Sequence, residues 1–240
     1  SHKQNDALGM YISLFAEFAK ENIDNQTNWP SQDDDMQMLV RIVAYLNNIE
    51  YWNMEDSGAW EEIEKIACSS VSCVTAGLQA LVKLYDSNAQ FKTAYDNARA
   101  KFPTTETGSV DYNYNHYSDL AEDAEEGIRD AIDLAYKLTI IPSVEKGGES
   151  IRYPKSAEEY REGDAALLNL IYPYALDEKK YDDDTKFGLM SKYKILEIVE
   201  NNNNDYGVLR YKNDNYQCSD YWFAHIPADV SEESYKKRKQ

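Results

Sequence analysis

Two glutamates follow a tryptophan at Trp60-Glu61-Glu62, and a strongly apolar run opens shortly after, at Cys68-Ser69-Ser70-Val71. A carboxyl group held against an aromatic wall loses hydration, and its pKa rises. Such a group keeps its proton near neutral pH and can donate it to a leaving-group oxygen. In a chain with 43 acidic residues, the same run also reads as a solvated acidic turn anchored by one indole.

Three further segments place polar and charged groups at expected helix ends. In Lys3-Gln4-Asn5-Asp6-Ala7-Leu8-Gly9, Asp6 sits at a helix start, where a carboxylate is an ordinary N-cap. Gly163-Asp164-Ala165-Ala166-Leu167-Leu168 reads as a second capped helix. In the stretch 207–216, Arg210 and Asp214 alternate with aromatic residues. Arg and Asp can each grip sugar hydroxyls through charge-assisted hydrogen bonds, although on a loop the same pair also reads as a surface salt bridge.

Composition narrows the partners. The net charge is −18 over 240 residues. A polyanion repels the phosphates of nucleic acid and of anionic membrane surfaces, so neither is an expected partner. A neutral sugar is not repelled, and the 20 tyrosines and four tryptophans offer faces that stack on sugar rings. Cys68, Cys73 and Cys218 show neither a disulfide framework nor metal-ligand spacing, which points to reduced thiols, a cytoplasmic setting and no zinc site. No run approaches the roughly 18 apolar residues of a membrane span, and no signal peptide is evident.

The elements that must hold these segments are helical. Leu8, Ile12, Phe15 and Ala19 form an i, i+3, i+4 stripe. Leu39, Val43, Leu46 and Ile49 predict a second helix, whose start at Asp33-Asp34-Asp35 suits the helix dipole. Val71, Val74, Leu78, Leu81, Val82 and Tyr85 predict a third, capped by Ser69 or Ser70. Further helices are expected over 87–101, 120–138, 165–172 and 184–199. Residues 138–141 and the surroundings of Ile151 are expected as short extended pieces. Long polar connections join the helices, and such loops commonly carry function or disorder. Helix pairs joined by long loops make an all-α domain.

The four segments, taken in this order, resemble the glucoamylase-like glycosidases of glycoside hydrolase family 15. That family includes the related N-terminal domain of the regulatory subunits of phosphorylase kinase. The likeness runs from Gln4 to about Trp222. It implies an (α/α)6 toroid of helical hairpins, with residues 1–240 forming part of one catalytic domain that is incomplete in this chain. It also implies an inverting exo-glucosidase acting on α-glucans or maltooligosaccharides, with no cofactor. By the resemblance, Glu61 is the general acid, and Asp6, Trp60, Glu62, Arg210 and Asp214 contact sugar. The general base of the family falls in a motif expected beyond Gln240, and Glu232 and Glu233 are not assigned to it. The phosphorylase-kinase branch implies the other possibility, a non-catalytic carbohydrate-binding or regulatory module. Glu62 leans toward the glycosidases, whereas Asp-Ala-Ala-Leu-Leu with Ile171-Tyr172-Pro173-Tyr174 looks closer to the regulatory branch.

Overall fold

A computed structural model describes residues 3–25, 33–61, 63–101, 119–121, 127–157, 159–171, 187–204 and 207–211. Seven α-helices occur among them: α1 (Asn5–Asp24), α2 (Asp33–Asn48), α3 (Cys68–Ser87), α4 (Ala89–Ala100), α5 (Ile128–Ala135), α6 (Ile141–Lys146) and α7 (Phe187–Glu200). A 3-10 helix spans Ala165–Leu170. The strands β1 (Asn203–Asn204) and β2 (Gly207–Val208) form one short antiparallel pair. The chain is all-α in class.

α3 is the axis of the packing. Every residue from Cys68 to Leu78 is buried, so this helix is enclosed on all sides rather than laid on a core by one face. α1 packs along it most extensively, and α5 and the 3-10 helix add to its flanks. The α1–α3 seam is very close. Gly9 lies against the backbone of Cys73 and Val74, where an added Cβ would fall 2.4 Å from Cys73 C. Gly77 faces Gly9 O and Ile12 in turn. The pairing of 9 with 73–74 and of 9–12 with 77 means that α1 and α3 run parallel. Their N-termini therefore share one pole of the molecule.

Three local expectations are corrected. Residues 138–141 are not extended. α5 runs through a π-helical turn, Tyr136–Ile140, directly into α6. The β-branched Thr139-Ile140-Ile141 sequence favours strand in isolation, but tertiary bonds hold the turn helical. Thr139 Oγ1 donates to Trp52 O at 2.7 Å, and Arg152 donates to Leu138 O at 2.9 Å. Nor does the helix expected from residue 120 begin there. It starts at Ile128, whose N–H bonds Asp119 O at 2.9 Å.

α3 likewise begins one residue before its expected serine caps. Its N-cap is Ala67, which offers no side-chain acceptor. The acceptor comes instead from Glu149, 80 residues away, whose carboxylate takes the Ser69 N–H at 3.1 and 3.0 Å and also the Ser69 hydroxyl.

Candidate functional site

The loop carrying Trp60 and Glu61 is bolted to the N-terminus of α1. Asp56 and Lys65 close its base as an antiparallel bridge, with both N–H···O distances 2.9 Å. Asn5 N donates to Asp56 Oδ2 at 3.1 Å, and Ser57 N donates to Lys3 O at 2.9 Å. Lys3 Nζ pairs with Glu64 Oε2 at 3.2 Å. On the other side, the Tyr153 hydroxyl accepts the Ile66 N–H at 3.0 Å and donates to Glu55 Oε1 at 2.6 Å. The loop turns at Gly58 (φ +63°), and Glu61 N–H closes the turn on Gly58 O at 3.2 Å. Glu61 itself has φ +53°, a left-handed conformation rare for a residue with a side chain.

Among the described residues, Asp6, Trp60, Glu61 and Arg210 lie at this pole. Glu61 is exposed, and its Oε1 accepts from Gln4 Nε2 at 2.8 Å. Asp6 lies within the first turn of α1 rather than at its cap. Burial pushes its carboxyl above the ordinary range, bonds from the Ala7 and Asp6 N–H groups oppose this, and the Glu61 charge adds to the rise. Trp60 does not use its N–H toward Glu61. Its Nε1 donates to Asp164 Oδ1 at 2.8 Å. The Arg210 guanidinium lies over the Trp60 ring, 5.4 Å from the centroid, and 5.3 Å from that of Tyr211. Arg161 covers the Tyr211 ring at 4.6 Å. Glu62 and Asp214 lie outside the described residues.

Four buried polar residues support this pole, and apart from the capping by Asp164 their roles were not apparent from the sequence. Asp56, Lys65, Glu149 and Asp164 are each 2% exposed or less. Burial raises the Asp56 carboxyl to about 6; the nearby Ser70 hydroxyl, the bond from the Asn5 N–H and the charge of Lys65 oppose this, whereas Asp6 adds to it. Burial also pushes Glu149 well above the usual carboxylate range, helped by the charge of Asp164 and opposed by its bonds to Ser69 and by Lys65. Glu149 caps a helix N-terminus, where an anion is favoured by the dipole. Asp164 was legible as a cap, and it does accept the Ala166 N–H at 2.8 Å. Its second donor, Trp60, is 104 residues away and has no local sequence signal.

Beside this pole, a cavity of about 700 Å³ is lined by Gly163, Asn202 and Leu209 and by Lys146, Glu162 and Lys194. Chemically, the pole offers carboxylates, an amide, a guanidinium and an indole face, a set that suits hydroxyl-rich ligands.

Among the described residues, no helix is long and apolar enough to cross a membrane. The uncharacterized lipoprotein YgeQ of Escherichia coli strain K12 is similar, at 35% identity over 57 residues. That stretch is 24% of this chain and 21% of YgeQ, so the likeness spans about a fifth of that protein's length. No solved structure matches the chain. The model of the glycosyl hydrolases family 15 matches residues 1–237. The four segments identified from the sequence fall within that match, and the chain belongs to glycosyl hydrolase family 15.

Proposed function

We propose that this chain is part of a single glucoamylase-like (α/α)6 domain that releases glucose from the non-reducing ends of α-glucans with inversion. Glu61 donates its proton to the glycosidic oxygen as the bond to the anomeric carbon breaks. Water attacks that carbon from the opposite face and gives its proton to a second carboxylate, about 6.5–9.5 Å from the first in inverting enzymes. Asp6, Glu62, Arg210 and Asp214 grip sugar hydroxyls, and Trp60 flanks the acid.

The observation that carries this reading is the convergence of sequence-distant groups at one pole. Gln4 and Asp6, Trp60 and Glu61, Asp164, and Arg210 meet where α1 and α3 begin. Incubation of the full-length protein with maltooligosaccharides, followed by proton NMR of the first anomer formed, tests it. Initial accumulation of β-glucose is the expected result, and α-glucose or no glucose would refute it.

One observation favours a second reading. Glu61 is exposed and bonded to a neutral amide, as suits a hydroxyl-binding carboxylate in a non-catalytic carbohydrate-binding or regulatory module. That reading gains if maltooligosaccharides bind without turnover.

A further inference from the structure

The segment Gly163-Asp164-Ala165-Ala166 meets the site through Asp164 and Ala165. Asp164 is fully buried, and its Oδ1 accepts two N–H groups, each at 2.8 Å: Ala166 N and Trp60 Nε1. The next residue, Ala165, donates its N–H to Arg210 O at 2.6 Å. Arg210 in turn lies over the Trp60 ring. One dipeptide thus holds the indole at two points, directly by its edge and, through Arg210, by its face. Two fixed points on a planar ring restrict both of its side-chain torsions.

A cap alone does not require a carboxylate. Asparagine caps a helix as well as aspartate does, and a buried charge is costly, the more so beside Glu149. An ionised acceptor gives the indole N–H a stronger bond than a neutral one. The peptide after this indole carries Glu61 in its left-handed conformation, which persists only where the surroundings over-determine it.

We infer that Asp164 is a positioning residue for the Trp60-Glu61 segment: by holding the indole N–H, it fixes the direction in which Glu61 presents its carboxyl. This rests on the proposal that Glu61 is the acid, and it implies that the third sequence segment serves the second.

The test uses the full-length protein and the variants Asp164→Ala, Asp164→Asn, Trp60→Phe and the double variant Asp164→Ala/Trp60→Phe. Trp60→Phe removes the N–H but leaves the cap intact, so it serves even if Asp164→Ala fails to fold. Turnover of maltooligosaccharide in Asp164→Ala is expected to fall about 10- to 100-fold in kcat with KM little changed, the scale of a misplaced catalytic group. Asp164→Asn, which can still accept both N–H groups but only as a neutral acceptor, should recover part of the loss. Trp60→Phe should lose as much as Asp164→Ala, and the double variant no more than either.

A second readout needs no activity. The carboxyl carbon of Glu61, followed by NMR, should shift in Asp164→Ala and in Trp60→Phe but return close to its original position in Asp164→Asn. An unmoved Glu61 resonance in Trp60→Phe, or additive losses in the double variant, would overturn the inference. If the unaltered protein releases no glucose while the Glu61 resonance still follows Asp164, the positioning stands and the assignment of Glu61 as acid falls.

Discussion

The α1–α3 seam and the pole above it are built from opposite materials. The seam packs backbone on backbone, with Gly9 and Gly77 allowing the two helices to approach almost to contact and Ile12 filling the space beside them. The pole is held by buried polar groups, namely Asp56, Lys65, Ser69, Glu149 and Asp164. Packing density governs the first region, so its failures should be steric and indifferent to pH. Electrostatics govern the second, so its failures should depend on pH and on whether each buried donor retains an acceptor. A rigid seam carrying an expensive polar pole is the arrangement expected where chemistry sits on a scaffold.

The sharpest break in this contrast is Gly9→Ala. Its Cβ would lie 2.4 Å from backbone atoms of α3, which cannot swing aside as a side chain could. A loss of about 3 kcal/mol is expected, seen as a lower urea midpoint at every pH. An unchanged midpoint would show that the seam is looser than described.

The pole should respond to pH instead. In the folded chain Asp56 titrates near 6, above its ordinary 3.8, so the native state binds more protons than the unfolded chain between these values. Unfolding free energy therefore falls as pH rises through that window. The Asp56 contribution is complete below about pH 4 and lost above about pH 6, on the order of 3 kcal/mol. Glu149 acts in the same direction. Thermal melts should show higher stability at pH 5 than at pH 8, and Asp56→Asn should flatten the decline. A Gly9→Ala melt with the same pH slope as the unaltered protein would confirm that the two regions fail independently.

Smaller effects refine the picture. Tyr153→Phe removes the hydroxyl that joins Ile66 N to Glu55 and should cost about 1 kcal/mol. Because that hydroxyl ties down one end of the Glu61 loop, proteolysis within 53–67 should also quicken; equal rates would remove Tyr153 from the clamp. Lys3→Ala breaks an exposed ion pair with Glu64 and should change stability by less than about 0.5 kcal/mol.

Helical periodicity carried most of the architecture, because α1, α2 and α4 each bury an apolar stripe of regular spacing and the apolar positions of α3 keep that spacing within a run that is buried on all sides. It failed where distant partners decide the local backbone. Thr139 and Ile140 are strand formers by type, yet Trp52 and Arg152 hold them in a helical turn. Ser69 and Ser70 read as caps, yet Glu149 takes the N–H that a cap would serve. The site divides in the same way. Trp60, Glu61, Asp6 and Arg210 stood out by residue type and neighbours, whereas Gln4 and Asp56 did not. Asp164 stood out for only half of what it does, since its bond to Trp60 exists only once the chain has folded.

The central claim is that Glu61 delivers the proton, and glucose release by the full-length protein beside its Glu61→Gln variant tests it most directly. The amide keeps the shape and can still meet Gln4, but it has no proton to donate. The expected result is release from maltooligosaccharides by the unaltered protein and a loss of at least about 1,000-fold in kcat in the variant, the upper part of the range for removing an essential general acid. Equal rates in the two proteins, or release by neither while sugar still binds, would contradict it.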